Sequence, residues 1–501
     1  MSNLSKTRQS RNSWTIKAIE RGASLRDAKK RQKRSQSKIQ RLEQALLNSE
    51  LAKKNLNDEL QMAKTALSSG SQPIVEIRVI CVLLVINAVV SFRSIPRILN
   101  SLCALGTNVF AWIPHFSSVI NWNLRVGVFL LEQVKQSTER WIAIMDCSID
   151  IGTRKALVVL RVPLDVLLKT GKALTLKDCE CIGVKISSTW NGQTVAAALT
   201  EIFAIAGAPV AILKDGGSDL KRGVNNWRMA TGNMGVFVLG DIGHIVGNAL
   251  KAMFSKCPMF KNFITIISNG AARIRQTDLS FFLPPKIRSK GRFQSIGRVA
   301  KWSQTVIGLL GGHATSCESA VVSRLRDAFK ELPNLQFFLS GFILACQVAD
   351  EFSKLMKNEG VNQKSYREAK IILEKLPKES ILRKALDAWL ERHITIQCRL
   401  SIGQTPLCVS SDIIESLFGK FKGFIQRCPK AELNKIALAI PTMCGHVDEK
   451  IIQQALATTS HISMTEWVKK NIPTTLRAKK MQHAREVRTN NNGGPIYGKV
   501  A

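Results

Sequence analysis

WIAIMDC at residues 141–147 and PVAILKD at residues 209–215 decide how this chain is read, because each is a short apolar run that finishes at an acid. Runs of this length and composition fit strands buried on both faces. A carboxylate at the end of a buried strand is costly to desolvate unless something pairs with it. If the two strands lie side by side, Asp146 and Asp215 share one natural partner, a divalent cation. A third acid, Glu415, stands far downstream in the helical pattern DIIESLFGKFK at 412–422.

The surrounding patterns say whether those strands are neighbours. Strand signals fall at 141–147, 155–162 and 181–186, followed by a helix over 193–206. Then come a strand at 209–214, a short polar helix from Ser218, a strand at 235–240 and a helix over 242–254. Three strands in a meander followed by alternating helix and strand is the order of a ribonuclease H-like mixed α/β sheet. That topology places the first strand beside the fourth, and Asp146 beside Asp215.

The flanks divide the chain further. Residues 1–41 carry thirteen Lys and Arg against Glu20 and Asp27, a local net charge of +11. A heptad pattern then runs through Ile39, Leu42, Leu46, Ser49, Lys53, Leu56, Leu60, Ala63 and Leu67, giving either a coiled coil or a solvated charged helix over 1–70. Residues 71–138 are helical and apolar, broken at Pro96, Gly106 and Pro114. Ser117 or Ser118 would cap a second helix there, so the pair fits a DNA-binding helix-turn-helix or a plain structural hairpin. The catalytic core occupies 139–254. An α-helical insertion at 255–405 follows, with an apolar helix at 335–348, a charged helical stretch over 366–391, and a basic patch at Lys286, Arg288, Lys290, Arg292, Arg298 and Lys301. The core resumes at 406–430 with the Glu415 helix, and 431–501 holds a helical segment and a basic tail expected to be disordered from Lys469.

Composition narrows the chemistry. Across 501 residues, 72 Lys and Arg against 37 Asp and Glu leave a net charge of +35. A polyanion is the natural counterweight to that charge. The longest apolar run, residues 79–90, is far shorter than the ~20 residues of a spanning helix, and no secretory signal is visible. The 12 cysteines include no CxxC pair, and Cys81, Cys103, Cys346 and Cys444 lie in apolar surroundings, as in a reduced cytoplasmic protein.

Two divalent ions bridged by carboxylates can activate a water or a 3′-hydroxyl and steady the leaving oxygen. Asp146, Asp215 and Glu415 are the candidate catalytic and metal-binding residues, with Mg²⁺ or Mn²⁺ as the hard cation that oxygen ligands prefer. Lys422, two helical turns beyond Glu415, faces the same side and would meet a phosphate. The two aspartates also have plainer explanations: Asp146 suits a strand-end turn and Asp215 a tight Asp-Gly-Gly turn, while Asp219 and Asp412 are rivals to Asp215 and Glu415 best explained as helix starts. Asp241 and His244 (GDIGH) fit a helix cap and a substrate-contacting or structural histidine.

Together MDCSIDIGTRKALVVL, AILKDGGSDL, VLGDIGHIVGNAL and DIIESLFGKFK resemble the catalytic core of DDE transposases from bacterial insertion sequences, over roughly residues 140–425. The arrangement is similar to those with a helical insertion before the glutamate, as in hAT transposases. The tyrosine and arginine that usually precede that glutamate are absent between Thr405 and Ile414. The resemblance implies Mg²⁺ bound by Asp146, Asp215 and Glu415. It also implies DNA strand cleavage and transfer at terminal inverted repeats, and a dimer or larger synaptic complex on the nucleoid. A nuclease without strand transfer and an inactive transposase-derived DNA-binding protein are the alternatives.

Overall fold

The computed structural model describes residues 76–105, 110, 112–151, 154–170, 174–287, 293, 295–310, 320–425 and 433–491, with scattered residues between 32 and 50. Most of the heptad segment, together with Arg288, Lys290, Arg292 and residues 492–501, lies outside them. The chain divides into two units, one of 1–77 with 102–113, the other Arg78–Ser101 with Pro114–Ala501. The second holds the sheet.

In chain order the helices and strands are α1 (Ile77–Ala88), α2 (Ser94–Ala104), α3 (Phe116–Glu132), β1 (Trp141–Ile151), β2 (Arg154–Pro163), α4 (Leu164–Thr170) and β3 (Glu180–Ser187). There follow α5 (Gly192–Ala206), β4 (Ala211–Lys214), α6 (Ser218–Ala230), β5 (Phe237–Gly240) and α7 (Ile242–Phe254). The insertion supplies α8 (Pro258–Ile274), α9 (Gly297–Leu310), α10 (Ala320–Ala328), α11 (Gln336–Glu359), α12 (Gln363–Glu374) and α13 (Ile381–Arg399). Last come α14 (Asp412–Ile425), α15 (Glu449–Thr458), α16 (His461–Asn471) and α17 (Leu476–Asn491).

The five strands lie in the order β3-β2-β1-β4-β5. β1 pairs antiparallel with β2, and β2 with β3, whereas β1–β4 and β4–β5 are parallel. The expected neighbourhood of the first and fourth strands is therefore present. Alternation sorts the side chains onto two faces. Trp141, Ala143, Met145, Leu157, Val159 and Ile212 pack with α5 and α6. Ile142, Ile144, Val158, Leu160, Ala211 and Leu213 pack with α7, α14 and the insertion. Helices α5 and α6 approach so closely that a Cβ on Gly223 would stand 2.3 Å from Val195 Cγ1.

The insertion is part of the core. Phe342 of α11 meets Phe254 of α7 at 5.1 Å between ring centroids, and Phe260 and Phe263 of α8 at 5.8 and 5.6 Å. Residues 333–359 form the one helical stretch among the described residues long and apolar enough to cross a membrane, but Leu339, Phe342, Ala345, Val348 and Phe352 are buried in this core. Helix α11 outruns the expected 335–348 because Ala349, Phe352 and Met356 continue its buried stripe beneath a charged surface. The charged stretch 366–391 is two helices, α12 and α13, separated where Pro377 forbids continuation.

One face of α13 closes the open edge of the sheet. Trp389 Nε1 donates to Gly240 O at 3.2 Å, Gly240 N donates to His393 Nε2 at 3.1 Å, and Arg392 Nη2 donates to Val238 O at 3.1 Å. Residues 389, 392 and 393 share a helix face, so one surface takes up Val238 O and both backbone groups of Gly240 on edge strand β5.

Two segments differ here from one reading of the sequence. The candidate recognition helix, α3, is a core element capped by His115 rather than by a serine. Val119, Trp122, Leu124, Val126 and Val128 are buried, and a Cβ on Gly127 would stand 1.8 Å from Leu438 O. Arg125 is spent on the Thr459 and Leu456 carbonyls. This packing matches the plain structural hairpin, the other reading of the segment. The basic tail is not disordered throughout, since α16 and α17 carry helix to Asn491. The Thr475 hydroxyl receives Ala478 N at 3.1 Å as a helix start, and Ala, Met, Gln, Lys and Arg are good helix formers.

His393 is buried, with Nδ1 2.7 Å from Trp389 O, and burial first, then Arg392, brings its pKa down to about 4 against the pull of that carbonyl. The imidazole stays neutral in the fold and is protonated once unfolded. Stability is therefore full above the ordinary histidine pKa of ~6.5 and declines as pH falls toward about 4, by up to about 3 kcal/mol. His393→Phe orphans the Gly240 N–H, costs about 1–3 kcal/mol at neutral pH and flattens that acid limb, measurable by urea denaturation across the pH range.

Candidate active site at the carboxyl ends of the strands

The β1–β4 register pairs Ile142 with Ala211, Ile144 with Leu213 and Met145 with Lys214. Asp146 and Asp215 are the next residues along the two strands. Both have the parity of the residues that face α7 and α14. A register shift between Asp146 and Ile149 in the β1–β2 pairing bends β1 just beyond the acid. Asp146 is buried, and its Oδ1 accepts Cys147 N at 2.6 Å. Asp215 is half-buried, and its Oδ1 accepts Gly217 N at 2.9 Å, which folds the Asp-Gly-Gly turn around the carboxylate. The Cys147 thiol registers both acids: burial pushes its pKa well up, and the Asp146 and Asp215 carboxylates push it further.

Asp241 ties this strand end to the Glu415 helix. Its Oδ2 accepts His244 N at 2.9 Å and so caps α7. Its Oδ1 accepts both Ser411 N at 2.8 Å and Ser411 Oγ at 2.9 Å, at the start of α14. The backbone supports the same junction, with Asp241 N donating to Lys214 O at 3.2 Å and Ile242 N to Val409 O at 2.9 Å. Helix α14 lies against β1 with Ile414, Leu417, Phe418 and Phe421 buried. Glu415 is on the exposed side of its first turn. Neighbouring protein still strips enough water from its carboxyl to raise the pKa, Asp412 and Asp241 raise it further, and Lys357 and His244 oppose them. Lys422, half-buried, follows on the same stripe.

His244 lies between the two parts of the site. A Cβ on Gly216 would stand 3.8 Å from His244 Nδ1 and 3.5 Å from Asn248 Nδ2, so both side chains flank the Asp215 turn. Asn248, one helical turn beyond His244, was missed in the sequence, although its spacing puts it on the same face. Ser411 and Lys214 were missed too. Lys214 is buried, its Nζ donates to Asp215 O at 3.0 Å, and burial lowers its pKa while Asp215 raises it. In the basic patch Lys286 and Arg298 are exposed, whereas Lys301 is paired with Asp350 at 3.5 Å.

Asp146 and Asp215 offer carboxylate oxygens, the donor type a hard divalent cation takes. Among the described residues no three His, Cys, Asp or Glu are gathered closely enough to hold a metal ion. The structure thus puts Asp146 and Asp215 on adjacent strands, and Glu415 near Asp241, Asp412 and His244, without one coordination sphere around all three sequence candidates among the described residues.

No family model matches the chain, and no curated protein matches it. Among solved structures, the Drosophila P element transposase strand transfer complex aligns with a TM-score of 0.41 and 12% identity, covering 81% of this chain and 99% of that one.

Asp241→Ala strands the Ser411 and His244 donors and removes a helix cap, so it should destabilise the protein by about 2–4 kcal/mol. With Ser411→Ala as the second member, a double-mutant cycle in urea should give a coupling of about 1 kcal/mol. A coupling near zero would mean the Asp241–Ser411 contact does not hold α14.

Proposed function

We propose that this chain is a DNA transposase with a ribonuclease H-like catalytic domain of the DDE type, as carried by bacterial insertion sequences. In this reading it cuts DNA at the terminal repeats of its own element and joins the ends to target DNA. The observation that carries it is the β1–β4 register, which puts Asp146 and Asp215 one step beyond the paired Met145 and Lys214, with the Glu415 helix packed against β1. The strand order, the net charge of +35 and the sequence resemblance support it.

Asp146 and Asp215 are the residues that would hold a divalent cation, with Glu415 as the third ligand. A bound Mg²⁺ or Mn²⁺ supplies positive charge that favours deprotonation of the attacking oxygen and steadies the leaving one. The protein fixes the geometry: the strands hold the two aspartates, Asp241 holds α14, and Lys422 meets a phosphate oxygen. A water or 3′-hydroxyl oxygen forms a bond to phosphorus as the bond to the bridging 3′ oxygen breaks. The nucleophile's proton passes to solvent, and the departing oxygen takes one up. His244, flanking the Asp215 turn, is positioned as a substrate contact. Pairing of two DNA ends calls for at least a dimer.

Cleavage and joining should be measured on labelled DNA carrying the flanking repeats of the chain's own gene, with Mg²⁺ or EDTA. Joined products should require the metal and fall by at least about a hundredfold in both Asp215→Ala and Glu415→Ala, in line with losing a group that acts on the transition state. Cutting without joining would favour a nuclease, and binding with no metal-dependent cutting an inactive DNA-binding protein.

A further inference from the structure

A surface helix is ordinarily held by a packed apolar face. Helix α17 is held at its base instead, since every described side chain from Leu476 to Glu486 is exposed. The base is fixed by Arg154, buried at the start of β2. Its Nη1 donates to Pro473 O at 2.7 Å and to Leu433 O at 3.3 Å, and its Nη2 donates to Thr474 O. One residue on, Thr475 Oγ1 receives Ala478 N at 3.1 Å and opens the helix.

The strand register shows where that base lies. Arg154 pairs with Ile151, five residues beyond Asp146 along β1. The rise of a strand puts this point about 15 Å past the aspartate, on the side where β1 runs out beyond the candidate site. Phosphates of one DNA strand are about 3.4 Å apart along the helix axis, so the offset amounts to a few nucleotides.

The charges of α17 are sorted by side. At about 100° per residue, the positions of Arg477, Lys480, Arg485 and Arg488 fall within an arc of about 140°. Glu486, the helix's single acid, lies opposite, and Lys479 is the one cation off the arc. The helix has no aromatic residue, and its bulky apolar ones are Leu476, Met481 and Val487 alone. That composition suits neither a lipid leaflet nor an apolar groove.

A one-sided basic face matches a polyanion with regularly spaced charges. We propose that the Arg477–Lys480 face of α17 grips the phosphate backbone of duplex DNA beside the bond to be cut. The inference rests on the reading of the chain as a DNA-acting enzyme. It adds that part of the grip comes from the C-terminal segment, anchored next to the strand that carries the first aspartate.

The test is the salt dependence of affinity, because each phosphate contact contributes about 0.9 to the slope of log K against log salt. Fluorescence anisotropy with a labelled short DNA duplex would compare the full chain with Arg477→Gln, Lys480→Gln and Lys479→Gln between about 50 and 200 mM KCl. Arg477→Gln and Lys480→Gln should each flatten the slope by about 0.9, and Lys479→Gln should keep the wild-type slope. All three side chains are exposed, so the variants should keep the fold, which circular dichroism checks. A wild-type slope in both Arg477→Gln and Lys480→Gln overturns the grip while leaving the proposed function standing. Equal flattening in all three variants overturns the one-sided face, since net charge alone would then account for binding. Weaker binding of the arc variants to phosphatidylserine vesicles, with DNA binding unchanged, would assign the face to a membrane and also overturn it. If the wild-type chain binds no duplex at any salt, both readings fall.

Discussion

The carboxylate of Asp241 joins β5 to a helix that the chain reaches only 170 residues later. Closing a loop of that length costs on the order of 5 kcal/mol in chain entropy, beyond ordering the insertion itself. Contacts at several levels offset it. Trp389 and His393 grip Gly240, Val361 and Leu407 form a two-way backbone bridge, and Phe254, Phe260, Phe263 and Phe342 fuse the insertion to α7. Without them Glu415 would belong to a helix with no fixed place on the sheet.

That arrangement separates rigid from adjustable parts of the site. Asp146 lies within β1 just before its bulge and Asp215 directly follows β4, so the backbone of two paired strands positions both. Glu415 depends on a helix attached through side chains and on an insertion whose own packing sets its angle. The raised pKa of its carboxyl records first the loss of water around it and then the crowding of Asp412 and Asp241, a cost that positive charge relieves.

Much of this was legible in the chain because its signals are local. Short apolar runs bounded by turn residues marked all five strands, and their order implied the β1–β4 contact. The Glu415 helix spans 412–425 as its periodicity indicated. Other features were hidden because they depend on partners distant in sequence. Nothing local distinguishes α3 as a core helix from one waiting for a groove, since its burial depends on Gly127 meeting Leu438. Asp241 reads as a cap, which it is, but its second oxygen acts on a residue in another segment. The tail's charge pointed to disorder where its helix-forming residues point to α17.

The closure of β5 by α13 has a further consequence during synthesis. Gly240 leaves the ribosome 153 residues before His393. At about 5–20 residues per second, the nascent chain carries an unsatisfied strand edge for on the order of 10–30 s. Throughout that interval the half-built sheet is a template for any extended segment nearby, including the same strand on a neighbouring polysome chain. The yield of native protein is therefore set by translation speed and chaperone occupancy as well as by the stability of the finished fold.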